Sequence, residues 1–336
     1  MRKAFFKGYS QTAMKNIKKN TAGADQYKKR TRIFLLSFAA GTVLLLLLLL
    51  AGCGVGKKES RDQADRVSGN NVPAVSQETD NADAGRLEAV FFDVGKGDCI
   101  LLSSGDSHVL LDTGFKETAD GIIDELKERD ISRLDAMIIT HYDKDHVGGA
   151  AAIAGEIPTD IFYLPDYMGD EDKCGDLLDL IEKEKLQSVQ VSSRQELKLG
   201  RVEVYINPAL VSYDKEQKND NDASLLIEIF EGEDSWFLPG DIEEKATDLW
   251  LSDKERKYDI LKMPHHGKKE KNSAELIKAV SPLIAVITDG EERPASEKIE
   301  KKLRKNGADV YSTCLNGTIT VTGNGSREYQ VSVENP

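Results

Sequence analysis

Apolar residues recur along this chain in short blocks separated by turn-forming residues. Blocks at 87–92, 99–102 and 108–111 read as strands, the last two joined by a hairpin at 103–107. Ala136-Met137-Ile138-Ile139 reads as a buried strand. Val202-Glu203-Val204-Tyr205-Ile206 alternates strictly, and 225–230, 235–238, 258–263 and 283–287 complete the internal strands. Spacings of three and four, as in Ile122, Ile123 and Leu126, predict a helix over 121–129. Further helices are expected at 148–154, 177–186, 242–251, 274–280 and 296–305, with two or three strands after them. Strands dominate the first half and strand–helix pairs the second. That order predicts an α/β architecture of layered sheets flanked by helices.

The first 53 residues follow a different pattern. Residues 1–32 hold ten Lys/Arg and one Asp, and an uncharged apolar stretch runs from Ile33 to Leu50. Leu50-Ala51-Gly52-Cys53 closes it and resembles a lipobox, in which Cys53 takes a lipid. The apolar stretch is also near the length that spans a bilayer core of about 30 Å, so an uncleaved signal anchor competes with the lipoprotein reading. Both place the basic end in the cytoplasm and the rest outside, at the cell membrane. Residues 54–85 are polar, lack apolar periodicity and read as a flexible tether. The globular part is expected at 86–336.

The net charge is −13. Residues 1–52 carry +9 of it, which leaves −22 on the remainder. Such a surface repels nucleic acid at long range, so a polyanionic substrate needs local cations. Of four cysteines, Cys53 is assigned to the lipid. Cys99, Cys174 and Cys314 are widely spaced and suggest no disulfide framework, though one bridge is open to them outside the cell.

Chemistry enters at His141-Tyr142-Asp143-Lys144-Asp145-His146, followed by Gly148 and Gly149. Four side chains of metal-binding type (His141, Asp143, Asp145, His146) fall in one turn after a buried strand. Three more clusters sit at strand ends: Asn221-Asp222-Ala223-Ser224, Gly240-Asp241 and His265-His266-Gly267. Strand ends of one sheet can converge on one edge, where a carboxylate such as Asp241 can bridge two cations. Each downstream cluster alone reads equally as a turn or a packed histidine pair.

Taken together, these segments resemble the metallo-β-lactamase-fold hydrolases, and most closely the extracellular domain of ComEC-type DNA-uptake proteins. The matching motifs are Phe92-Asp93-Val94-Gly95-Lys96-Gly97-Asp98, Leu111-Asp112-Thr113-Gly114, the 140–149 segment, Asn221 to Leu225, Gly240 to Glu243 and Leu261 to Gly267. The resemblance implies an αββα sandwich with two divalent ions, Zn²⁺ or Mn²⁺, at one edge. It implies that His141 and Asp143 serve one ion, and that Asp145 and His146 serve the other. Asp241 would bridge, and His266 or His265 (His266 by preference) would be the late ligand. Asp145 and Asp241 would position the attacking water. Asp112 would orient a ligand. Asp93, Asp98, Asn221, Asp222 and Ser224 lie on the motifs in supporting or substrate positions. Lys144 and the group Lys268, Lys269 and Lys271 flank ligands and would either receive phosphate or lie solvated. Two departures stand out. Asp143 replaces the histidine usual across the superfamily, and Glu291-Glu292-Arg293-Pro294 stands where relatives carry Gly-His-Pro.

The expectation is therefore a membrane-anchored, extracytoplasmic, metal-dependent hydrolase acting on phosphodiesters, DNA among them. Cell-wall phosphodiesters, other esters or lactones are competing substrates. A surface binding protein with a degenerate metal site is the competing class.

Overall fold

The computed structural model describes residues 85–252 and 257–336. The segment expected as signal or anchor (1–53, with Cys53) and the expected tether, apart from Gly85, lie outside the described residues. Among the described residues no helix is long and apolar enough to cross a membrane.

The strands in chain order are β1 (Glu88–Phe91), β2 (Ile100–Ser104), β3 (Ser107–Leu111), β4 (Ala136–Ile138), β5 (Ile161–Pro165) and β6 (Gln187–Val191). Then come β7 (Gln195–Leu199), β8 (Val202–Asn207), β9 (Leu226–Glu231), β10 (Asp234–Leu238), β11 (Ile260–Lys262), β12 (Ile284–Ile287) and β13 (Asp309–Ser312). The last two are β14 (Ile319–Thr322) and β15 (Gln330–Val333). They form two sheets. One has the order β15-β14-β1-β2-β3-β4-β5-β6, the other β13-β12-β11-β10-β9-β8-β7. Each is antiparallel in one half and parallel in the other, at β3 to β6 and at β10 to β13.

Alternation along the strands sorts side chains between two interfaces. Ala89, Phe91, Ile100 and Leu102 point toward the second sheet and pack with Val204, Ile227, Ile229 and Trp236. Val90, Phe92, Leu101 and Met137 point the other way. They pack with Ile122 and Leu126 of α1 (Ala119–Glu128) and, past the short turn α2 (Lys144–Val147), with Ile153 of α3 (Ala150–Glu156). Leu177 of α4 (Glu171–Glu184) joins the same cluster. The outer face of the second sheet, with Phe237, Leu261 and Ile287, is covered in the same way. Its helices are α5 (Glu244–Ser252), α6 (Ser273–Val280) and α7 (Glu297–Lys305). Strands buried on both faces read as continuous apolar runs, which is why 99–102 and 136–139 stand out in the sequence. The layering is the expected αββα sandwich.

Strands β5, β6 and β7 and the short helix α8 (Thr313–Asn316) were not anticipated. Gln187–Val191 and Gln195–Leu199 lie at or beside sheet edges, where one face is solvated, so their composition is polar. β5 ends in Pro165, a residue that argues against a strand unless it sits at a terminus. Helix α4 starts at Glu171, six residues before the expected 177, because two acidic residues occupy its first turn and favour the helix N-terminus. The three described cysteines are free, with Cys99 and Cys174 buried.

Candidate metal centre

The carboxyl ends of β3 and β4 in one sheet meet those of β10, β11 and β12 in the other. Asp112, directly after β3, turns through a left-handed backbone (φ 55°) that aspartate tolerates better than most residues. Its Oδ1 accepts from the Thr140 backbone N–H at 2.7 Å. Its Oδ2 accepts from Thr140 Oγ1 at 2.7 Å and faces His146 Nδ1 at 2.8 Å. A carboxylate at Nδ1 fixes the proton there and leaves Nε2 to face the site. The 141–146 loop is pinned by close backbone approaches. Asp98 donates its N–H to the Asp145 carbonyl at 3.0 Å, and a Cβ on Gly97 would lie 2.7 Å from that same carbonyl.

His146 Nε2 lies 3.3 Å from Asp241 Oδ2 and 3.4 Å from His266 Nε2. His266 Nε2 lies 2.9 Å from Asp241 Oδ2 and 3.5 Å from Asp145 Oδ2. The other nitrogen of His266 donates to the Thr288 carbonyl at 2.8 Å, beyond the end of β12. His141 is fully buried with its ring 4.1 Å from that of His146. Its Nδ1 meets Thr140 Oγ1 at 3.0 Å, and its Nε2 has no hydrogen-bond partner. In this cluster three sets of donor atoms lie close enough to share an ion: His141, His146 and Asp241; Asp145, His146 and His266; and Asp98, Asp112 and His146.

The electrostatics answer to this crowding. Burial opposes ionisation of Asp241, but His266, Lys262 and His146 outweigh it and hold the carboxyl well below its usual range. Asp145 is likewise held low, burial being outweighed by the His266 hydrogen bond, His146 and Lys96. Burial disfavours a charged His146, yet Asp241, Asp112 and Asp98 push its pKa well up. His266 moves the same way, its burial being outweighed by Asp241 and Asp145. His141 moves down, through burial and then the neighbouring His146. The carboxylates call for positive charge at the centre of the cluster, and protons supply it when no cation does.

Several expected site residues do other work. His265 turns away into a separate pocket with Glu243 and Glu270. Asp222 does not face the cluster, because its Oδ1 accepts from the Glu243 and Ala246 backbone N–H groups, each at 3.0 Å, at the start of α5. Asp93 is exposed, and its Oδ1 accepts from Gly95 N at 3.0 Å to shape the turn. Ser224 Oγ accepts from the Asp241 backbone N–H at 3.2 Å and so braces Asp241. Asn221 Nδ2 lies 3.3 Å from Glu243 Oε1, on the His265 side. Lys144 pairs with Asp172 on the surface, and Lys268 and Lys271 pair with glutamates, so these ammonium groups are already engaged. Asp143 stays beside His141, 3.8 Å from its Nε2, but Lys173 holds its Oδ1 at 2.6 Å. Asp98 does enter the cluster, 3.8 Å from His146 Nδ1.

Lys262 was not anticipated. It is fully buried, and its Nζ contacts Asp98 and lies 3.0 Å from Asp241 Oδ1. A lysine inside the apolar strand Ile260–Lys262 was the available signal, since a fully buried lysine requires a paired acid. Lys96, 2.9 Å from Asp145 Oδ2, sits in the Gly-containing turn and was passed over as a loop residue. After β12, Asp289 turns inward and accepts from Ser312 Oγ at 2.6 Å and from the Ala295 backbone N–H at 2.7 Å.

Residues 92–212 match the model of the Metallo-beta-lactamase superfamily. The chain is 26% identical over 254 residues to ComE operon protein 3 of Bacillus subtilis, covering 69% of this chain and 32% of that protein. It is 25% identical over 242 residues to Competence protein ComA of Neisseria gonorrhoeae, covering 68% of this chain and 31% of that protein. The chain thus spans about a third of the length of these curated relatives. Among solved structures, the metallo-beta-lactamase fold protein YhfI from Bacillus subtilis aligns with a TM-score of 0.47 at 14% identity, over 71% of this chain and all of that one.

Proposed function

We propose, from the premise that the chain carries a metallo-beta-lactamase superfamily domain related to competence proteins, that this metal-dependent hydrolase cleaves phosphodiester bonds, those of DNA included. One observation carries the reading. His141 Nε2 is buried without a partner and opens onto His146 and Asp241, an arrangement that a bound cation satisfies and an empty pocket does not. The donor set fits a divalent ion. His141, with Asp143 beside it, would hold one ion, and Asp145, His146 and His266 a second, with Asp241 between them. Imidazoles mixed with carboxylates suit Zn²⁺ or Mn²⁺. Such ions polarise a phosphoryl oxygen and lower the pKa of an attacking water.

The remaining work belongs to the chain. Lys96 fixes Asp145, whose carboxylate would orient the incoming water. Lys262 holds Asp241 Oδ1 and thereby turns Oδ2 to both imidazoles. The phosphodiester assignment draws on the competence relatives and not on surface charge, which is strongly negative. Placement at the outer face of a membrane belongs to the same proposal and draws on the 1–53 pattern.

The test is hydrolysis of linear DNA and of bis-(p-nitrophenyl) phosphate by the full chain in detergent, with Zn²⁺ or Mn²⁺. Asp145→Ala and Asp241→Asn should each lower turnover by two or more orders of magnitude, and a chelator should abolish it. Undiminished cleavage by Asp145→Ala refutes the assigned chemistry. Metal-dependent cleavage of other esters with none of phosphodiesters refutes the substrate class alone.

A further inference from the structure

His265 (φ 50°, ψ 43°) and His266 (φ 53°, ψ 34°) are consecutive left-handed residues. Side chains with a Cβ avoid that region, and two in a row persist only where the surroundings hold them. The turn splays the two rings, with centroids 6.3 Å apart and planes at 71°. His266 enters the central cluster. His265 enters a second pocket, with Glu243 from the start of α5, Glu270 from the segment before α6, and Asn221.

That pocket has the marks of a site in its own right. His265 is 8% exposed. Its Nδ1 lies 3.0 Å from Glu243 Oε1 and 3.5 Å from Glu270 Oε1, yet it is aligned for a hydrogen bond with neither. Asn221 Oδ1 and Glu270 Oε1 are also buried without hydrogen bonds. Buried polar atoms are seldom left so, and His265 Nδ1 and Asn221 Oδ1 ask for a partner in a pocket where Glu270 Oε1 has the Lys268 ammonium in reach. The Nδ1 and the two carboxylate oxygens lie within 4.8 Å of one another. A tetrahedral ion with ligand bonds of about 2.0–2.2 Å sets its donors roughly 3.3–3.6 Å apart, which the 3.5 Å separation matches and the 3.0 Å one meets by opening a few tenths of an ångström. One imidazole with two carboxylates suits zinc or a similar borderline ion better than Ca²⁺, which prefers oxygen alone. Lys268 Nζ, on a half-exposed side chain, now lies 3.2 Å from Glu243 Oε1 and 3.1 Å from Glu270 Oε1.

We propose that Glu243, His265 and Glu270 form a separate binding site for a divalent transition-metal ion, which displaces the Lys268 ammonium and clamps the turn that carries His266. None of the three residues belongs to the hydrolytic cluster, so this site stands or falls apart from the proposed reaction.

The full chain, stripped of metal and titrated with Zn²⁺ or Co²⁺, tests it by metal content after dialysis and by Co²⁺ visible absorption. Wild type should retain one equivalent more than His265→Ala or Glu270→Gln. Asp241→Asn should keep that equivalent. Lys268→Met should bind it up to roughly fivefold tighter, the worth of a half-exposed ion pair. Glu270→Gln alters a partly exposed side chain and covers the case in which His265→Ala does not fold. Equal metal content in wild type and Glu270→Gln overturns the proposal. So does loss of the equivalent in Asp241→Asn, or weaker binding in Lys268→Met.

Discussion

Asp112→Asn is the sharpest probe of how the central cluster is organised, because it changes one atom and almost no volume. The carboxylate accepts three hydrogen bonds: from Thr140 N, from Thr140 Oγ1 and from His146 Nδ1. The first and third donors have no alternative on hand. If the asparagine oxygen stays with Thr140 N, its NH₂ meets the His146 Nδ1 proton. If the amide flips, NH₂ meets the Thr140 N–H instead. One buried donor goes unpaired either way, at a cost of about 1–3 kcal/mol. In a domain of this size that lowers the melting temperature by about 2–4 °C per kcal/mol. The less costly escape is for His146 to give up the Nδ1 proton and keep the one on Nε2, the atom that faces Asp241 and His266. A protonated Nε2 cannot bind a cation, so affinity for metal should fall about 10- to 100-fold, as for other carboxylates behind a ligating histidine. Thermal unfolding with chelator present gives the first quantity, and competition against a chelating dye gives the second. A variant that loses the expected stability but binds metal within twofold of wild type refutes the claim that Asp112 sets the His146 tautomer.

Two further outcomes follow from the same cluster. Lys262→Met removes the only buried ammonium in contact with Asp98 and Asp241 among the described residues, leaving two carboxylates uncompensated. Breaking a buried pair from one side costs about 3–5 kcal/mol, and urea unfolding of the metal-free chain should show a loss of that size. The second outcome concerns pH. His146 and His266 are raised above the usual value near 6.5. In the metal-free chain their contribution to stability is fully present below about pH 6.5 and is lost as pH rises through the raised values. Metal must displace these protons, so its apparent affinity should climb with pH over that window and then level off. Melting curves with and without Zn²⁺ at pH 6 and pH 9 should therefore diverge with rising pH, and a constant gap contradicts the proton count.

The layered fold and the rim that carries the cluster were both legible in the sequence, because double-sided burial writes continuous apolar runs and the ligand motifs sit directly after them. Asp112, 141–146, Asp241 and His266 could be placed on strand ends without coordinates. Edge strands such as Gln187–Val191 were not legible, since a strand solvated on one face has the composition of a loop. Polar residues with two plausible employers could not be divided between supporting and substrate roles. Asp222 caps a helix and Ser224 braces a backbone amide, and nothing in their spacing separates those tasks from substrate contact. The choice between His265 and His266 depended on two left-handed residues in succession, a conformation no pattern of side chains announces.

The pairing of β1 with β14 has a consequence for how the molecule comes into being. Glu88 lies opposite Thr322, so β1 lacks its neighbour on one side until residues 319–322 have been synthesised. Contacts so distant in sequence slow folding, because the loop between the two strands must close before their pairing is gained.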